Sequence, residues 1–123
     1  MKKRVLNPER LRKVPPQFSW IDHRLVRENY FVRCDHSAWA LYLFLTSVAD
    51  AEGLSYYSDA SLIRRLKMDP LVLSASRQQL IQTGLIAFEK PFYQVLSLDA
   101  IGGARSGPLS VGEVLRQALG GQP

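Results

Sequence analysis

The chain has 123 residues, of which 46% are hydrophobic and 22% are charged, and its formal net charge is +5. This length fits one domain with a real hydrophobic core, and no stretch approaches the ~20 consecutive apolar residues that cross a bilayer. One cysteine, Cys34, excludes an internal disulfide. The single thiol and the lack of an apolar core behind the basic N-terminus predict a cytoplasmic protein without signal peptide or membrane anchor.

The positive charge lies at the N-terminus. Residues 1–33 carry nine Lys and Arg against three acids, a net +6, whereas residues 34–99 carry five against seven, a net −2. Residues 1–17 end in Val14-Pro15-Pro16, which cannot continue a helix, and are predicted to form a flexible basic arm. Such arms often follow nucleic-acid phosphates, although a solvated leader is the alternative. The cations concerned are Lys2, Lys3, Arg4, Arg10, Arg12 and Lys13.

Residues 18–99 are predicted to form the folded domain. Apolar residues 18–21 lead into it, and a short helix is predicted from Asp22, as its cap, to Arg27.

The strongest predicted helix covers residues 36–53, where Gly53 supplies the stop. Its residues 38–45 are apolar throughout, so that apolar side chains occupy every face. This pattern predicts a helix buried on most sides. The alternative is that one face, with Trp39 or Phe44, is buried by a second copy of the protein.

Two helices joined by a tight turn are predicted next. Residues 54–58, LSYYS, favour a strand because paired tyrosines prefer extended backbone. Residues 59–67 form a helix with an apolar stripe. In the turn, Asp69 is the cap of a third helix, residues 70–83, whose first position suits Pro70 because that N–H has no helical partner.

The C-terminal third of the sequence predicts a hairpin, a linker and a helix. The strands are residues 85–89 and 92–98, with the bend at Lys90-Pro91. A Gly/Ser/Pro linker covers residues 100–109. Residues 110–121 begin with a capping box and are predicted to form a short amphipathic helix, whose apolar side chains must pack on something.

The middle of the chain resembles a known family of domains. LIRRL (62–66), followed by Leu73, Leu80 and GLI (84–86), resembles the helix-turn-helix of many bacterial regulators. GLSYYSD and GLIAF…YQVLSL look most like winged-helix domains of plasmid and phage replication initiators and of mobile-element proteins. Over residues ~36–98 the resemblance therefore implies a winged helix-turn-helix, mainly α with a small β-hairpin (α+β). It also implies double-stranded DNA as partner and a nucleoid-associated location.

In such a domain the third helix lies in the major groove and the second crosses the backbone. Leu73, Leu80 and Ile81 are predicted to face the core, while Ser74, Ala75, Gln78, Gln79 and Gln82 face outward. Glutamine suits bidentate contact with adenine, but it is also simply a good helix former. The candidate DNA contacts of the domain are Ser61, Arg64, Arg65, Lys67, Ser74, Ala75, Arg77, Gln78, Gln79 and Lys90.

The role of these cations is open. The stem of Arg77 packs on the core while its head reaches out to a phosphate or to an acidic side chain, and a structural role is favoured. Arg64, Arg65 and Lys67 meet phosphate or form a solvated face at a helix end, where the dipole suits them. Related helices often end in glycine where this chain has Lys67. Lys90 is the one cation available to a short wing.

Metal-binding and catalytic functions find little support. Cys34, Asp35 and His36, with Asp22 and His23, fall short of the four closely spaced ligands of a zinc site. No glycine-rich phosphate loop lies between a strand and a helix, and no catalytic constellation is visible. We therefore expect no enzyme, no metal and no cofactor.

The sequence thus predicts a homodimeric DNA-binding protein that acts as a transcriptional regulator or as an accessory factor of replication or transposition. The alternative is a winged helix used as a protein-interaction module within a larger replication or transposition complex. The acidic balance of residues 34–99 and the aliphatic side chains of Leu71 and Val72 favour that alternative.

Overall fold

The computed structural model describes residues 2–99, so that the predicted linker 100–109 and helix 110–121 lie outside the described residues. The described chain is mixed α+β, with four α-helices and a three-stranded antiparallel sheet. The helices are α1 (Arg24–Arg27), α2 (His36–Val48), α3 (Asp59–Leu66) and α4 (Pro70–Gln82), and the strands are β1 (Leu54–Tyr56), β2 (Ile86–Glu89) and β3 (Phe92–Val95). Short 3₁₀ turns cover Pro8–Arg10 and Tyr30–Arg33. Over residues 2–99, no helix is long and apolar enough to span a membrane.

Helix α2 is the centre of the core, because Leu41 and Leu45 on it are fully buried against the other elements. The helix ends at Val48, so the predicted stop at Gly53 is wrong. The carboxylate of Asp50 accepts the backbone N–H groups of Glu52 and Leu54, each at 2.9 Å. Such local side-chain bonds compete with the helical ones, and here they close a turn that leads into β1.

Helix α2 is buried on most sides, as predicted, and its one open face carries Leu43, which is 59% exposed. Trp39 and Phe44 are half-buried inside the chain itself. The Trp39 ring packs edge-on against Phe31 at 4.9 Å, and Phe44 packs against Tyr57 at 5.0 Å between ring centroids. A second copy is therefore not needed to cover those two side chains.

Helices α3 and α4 follow the predicted pattern closely. The Ser58 hydroxyl accepts the backbone N–H of Ser61 at 3.1 Å and so caps α3. α3 ends at Lys67, which has left-handed backbone with φ of 55°. Glycine is common in this left-handed conformation at the end of a helix, and here Lys67 adopts it. Pro70 is the first residue of α4, as predicted.

The sheet joins the predicted hairpin to β1 in the order β1-β3-β2. The second strand of the hairpin ends at Val95, three residues earlier than predicted. Pairing of Ser55 with Tyr93, and of Phe88 with Tyr93, directs these side chains to the helical side of the sheet. There Tyr93 is 1% exposed, so the sheet closes the core against α2 and α4.

Every side chain of residues 2–20 is exposed, and the folded domain begins at Asp22. The Asp22 carboxylate accepts the backbone N–H of Arg24 at 2.9 Å, in agreement with its predicted capping role. The Arg24 guanidinium also bonds Asp22 at 2.7 Å and Asp99 at 2.6 Å. The side-chain and backbone hydrogen bonds from Arg24 lower the pKa of Asp22 to about 2, and the bond from Arg24 to Asp99 ties α1 to the chain beyond β3.

Candidate nucleic-acid interface

Helix α4 presents one uncovered stripe to solvent. Its buried side chains, Leu73, Ser76 and Leu80, lie on the opposite face. Counted from Leu71, the other exposed positions lie three, four, seven and eleven residues further along the chain. This spacing places them along one side of a helix. The stripe carries small, amide and aliphatic groups and no carboxylate, and it consists of Leu71, Ser74, Ala75, Gln78 and Gln82. The outward orientation predicted for Ser74, Ala75, Gln78 and Gln82 is confirmed.

Gln79 does not belong to this stripe, and the prediction that it faces outward is wrong. The side-chain nitrogen Nε2 of Gln79 donates to the Asp35 carboxylate at 2.9 Å. The side-chain oxygen Oε1 accepts the Asp35 backbone N–H at 2.7 Å. One helical step of about 100° beyond Gln78 turns this side chain toward the start of α2. Gln79 therefore fastens α4 to α2 and is engaged within the protein.

The Arg77 side chain is also engaged within the protein, which agrees with the structural role favoured by its sequence context. Its guanidinium bonds the Asp59 carboxylate at 2.9 Å and the Tyr93 hydroxyl at 2.8 Å. It lies 4.5 Å over the Phe88 ring, and only 14% of the side chain is exposed. Burial lowers the pKa of Arg77, but these hydrogen bonds outweigh it and raise the pKa overall.

This arrangement places Arg77 between α3, α4 and the hairpin, so its contribution concerns stability. We expect Arg77→Met to lower the free energy of unfolding by about 2 kcal/mol, because the buried Tyr93 hydroxyl then loses its partner. The lost attraction to Asp59 adds little, since that carboxylate is 56% exposed. Combining Arg77→Met with Tyr93→Phe should restore stability to within about 1 kcal/mol of the native value, because neither buried polar group is then left alone.

Urea denaturation of the native chain, both single variants and the double variant measures these differences. If the double variant is as unstable as the sum of the two single variants, the Arg77–Tyr93 hydrogen bond does not hold the hairpin.

The predicted cations at the end of α3 are exposed. Of the three ion pairs in the described residues, none includes Arg64, Arg65, Lys67 or Lys90. The Arg65 Nε donates to the Ser61 hydroxyl at 3.2 Å. Ser61 is half-buried, and its hydroxyl is hydrogen-bonded within its own helix.

Lys67 lies beside the start of α4. It lines a groove of about 420 Å³ together with Val72 and with His36 and Ser37 at the start of α2. The positive charge of Lys67 is thus next to the first turn of α4. We call the three exposed cations at the end of α3 the α3 cations: Arg64, Arg65 and Lys67.

The six predicted arm cations, Lys2, Lys3, Arg4, Arg10, Arg12 and Lys13, are all exposed. No side-chain hydrogen bond or ion pair of the described residues joins them to the folded domain. Their positive charge is available to a partner.

The Cys34 side chain is half-buried beside α4. The Cys34 Sγ lies 3.6 Å from the Thr83 hydroxyl and 3.9 Å from the backbone carbonyl oxygen of Gln79, in the contact between α4 and the start of α2. Across residues 2–99, no group of three His, Cys, Asp or Glu side chains could hold a metal ion.

The candidate interface therefore consists of the uncovered α4 stripe, the α3 cations and the basic arm. No protein-family model, curated protein or solved structure matches the chain. Its function is inferred from these side chains alone.

Proposed function

We propose that the protein binds double-stranded DNA through a winged helix-turn-helix fold. In this proposal α4 enters a major groove, the β2–β3 hairpin is the wing and the basic arm follows the phosphate backbone. The order of α3, α4 and the hairpin supports the fold. The uncovered stripe of α4 carries the proposal, because no element of residues 2–99 covers this face of the helix and the face carries no acidic side chain.

The chemistry of the stripe suits base edges. The amides of Gln78 and Gln82 offer a donor and an acceptor side by side, which match adenine in the major groove. The Ser74 hydroxyl donates or accepts, and the small Ala75 lets the helix approach closely. Because Gln79 and Arg77 are bonded inside the protein, Gln78 is the central reading residue in this proposal.

Affinity has to come from outside the recognition helix. Residues 34–99 carry a net −2, and Arg77 is paired with Asp59. The α3 cations and the arm therefore supply the contacts to phosphate, whereas Lys90 adds one cation at the wing. In this proposal α4 reads bases and the cations bind phosphate. This assignment agrees with a homodimer that acts as a regulator or as an accessory factor of replication or transposition.

The test is binding of the full chain to labelled duplex DNA, followed by selection of preferred duplexes from a random pool. Gln78→Ala should reduce the affinity ratio between selected and random duplex by about ten-fold, with a smaller change on random duplex. Gln79→Ala is the matched control on the same helix, because its amide bonds Asp35, and it should leave the ratio unchanged. Equal weakening of both duplexes by Gln78→Ala would exclude base reading by this side chain.

A second candidate function is docking of another protein on the same helix. Leu71 at the start of the stripe is 83% exposed, and Val72 beside it is 38% exposed. Aliphatic side chains at this position suit a protein partner as well as thymine methyl groups. Absence of duplex binding by the full chain, even at low salt, would overturn the DNA proposal and favour this function.

A further inference from the structure

The outer face of the sheet carries an uncovered apolar patch. Pairing of Tyr56 with Phe92 and of Leu54 with Gln94 places these side chains on the side away from the helices. Tyr56 is 69%, Phe92 53% and Leu54 36% exposed. The Tyr56 and Phe92 rings contact each other, with centroids 5.7 Å apart. The patch lies apart from the α4 stripe, which is on a helix of the opposite layer.

The patch continues into an aromatic groove along β1. This groove has a volume of about 580 Å³ and is lined by Val48 and Tyr57 as well as by Leu54, Tyr56 and Phe92. We call it the β1 groove.

Three acidic side chains lie in or near the β1 groove, and one cation, Arg65, lies 5.8 Å from the centroid of the Tyr57 ring that lines it. Asp50 lines it, Glu52 lies in the turn before β1, and Glu89 is paired with Phe92 on the same face of the sheet. The negative charge of the three acidic side chains attracts a basic peptide. The groove therefore fits a segment that combines apolar and basic residues.

The chain itself contains such a segment. Residues 14–21, VPPQFSWI, have no charge and directly follow Arg12 and Lys13. Their large apolar side chains are exposed, to 75% in Val14, 61% in Phe18 and 72% in Trp20. A phosphate-binding arm has no use for this apolar surface. The two prolines favour extended backbone, and proline-containing extended segments dock in grooves lined by aromatic rings.

We propose that residues 14–21 of one copy dock in the β1 groove of a second copy of the chain. Among residues 2–99 of one chain this segment covers nothing, since its side chains are exposed and the groove is open. Arg12 and Lys13 then come next to the acidic rim formed by Asp50, Glu52 and Glu89. Exchange of two equivalent arms gives a closed two-fold dimer. This proposal does not depend on DNA binding, and its test contains no DNA.

Trp20 reports directly on this docking. The chain has two tryptophans, so Trp39→Phe leaves Trp20 as the one indole, and the substituted ring can still pack against Phe31 and Tyr42. In this full-length variant, Trp20 emission should shift to shorter wavelength as protein concentration rises. Sedimentation should show dimers forming over the same concentrations.

Two substitutions then locate the contact. Phe92→Lys in the groove should raise the dissociation constant of the dimer at least about tenfold, since an aromatic side chain at the centre of a contact carries much of its energy. Tyr56→Lys should raise the dissociation constant in the same way. Because Tyr56 lies on β1, an equal effect shows that the loss does not come from a disturbed β2–β3 hairpin. Leu43→Lys is the matched control, because Leu43 is equally exposed, at 59%, on α2. It should change neither the emission nor the dimerisation.

Each other outcome overturns the proposal. An emission shift that is the same at all concentrations means that the segment docks on its own chain. Emission typical of a solvated indole throughout means that it docks nowhere. A concentration-dependent shift that survives both Phe92→Lys and Tyr56→Lys places the contact outside the β1 groove.

Discussion

Between about 50 mM and about 200 mM salt, we expect the affinity of the protein for duplex DNA to fall about a thousand-fold. The cations available to phosphate are the six of the arm, the α3 cations and Lys90 at the wing, all of them exposed. Each phosphate contact adds about 0.9 to the slope of log affinity against log salt, so six contacts among these ten cations suffice. Anisotropy of a labelled duplex, titrated with the full chain at several salt concentrations, measures the slope.

Substitution of the six arm cations by glutamine separates the arm from the helices. At most the three α3 cations and Lys90 then contact phosphate, and the same change in salt should weaken binding by no more than about 150-fold. Arg77→Met is the control for a cation outside the interface, because its guanidinium is bonded to Asp59. It should leave the slope as it is. An unchanged slope after neutralisation of the arm would show that the arm does not contact phosphate.

Helices α3 and α4 could be predicted because their signals are local. Ser58 and Pro70 mark the two helix starts through single residues, and the 3.6-residue period separates buried Leu73 and Leu80 from exposed Gln78. The end of α2 could not be predicted in this way. Gly53 is a stop signal, but Asp50 forms a turn three residues earlier by bonding two backbone N–H groups. Two local signals competed, and the earlier one ended the helix.

The candidate interface could be predicted only in part. Helical spacing identified four exposed positions correctly, but it placed Gln79 with them. The Gln79–Asp35 bonds join residues 44 apart in sequence, and Arg77 reaches Tyr93 across 16 residues. Such pairings depend on how the elements pack, and neither side chain carries a local signal for its partner. The acidic β1 groove was missed for the same reason, since pairing of β1 with β3 creates it.

We expect Gly53→Ala to lower the free energy of unfolding by about 3 kcal/mol. Gly53 has φ of 86°, which is unfavourable for any residue with a Cβ. A Cβ there would also lie 2.6 Å from the backbone oxygen of Val95, closer than real contacts allow. Relief requires β3 to move, yet the Val95 N–H donates to the Gly53 oxygen at 2.9 Å. The alanine therefore weakens the pairing of β1 with β3.

Gly84→Ala is the matched control for this prediction. Gly84 also has positive φ, at 78°, but an added Cβ would meet no atom within 4 Å. It should lose only the cost of left-handed backbone, about 1 to 2 kcal/mol. The difference between the two variants in urea denaturation isolates the contact with Val95. Equal losses would show that the close approach of Gly53 to β3 is not what holds β1 in the sheet. Since β1 supplies Tyr56 to the β1 groove, Gly53→Ala should also weaken the dimer proposed to form there, whereas Gly84→Ala should not.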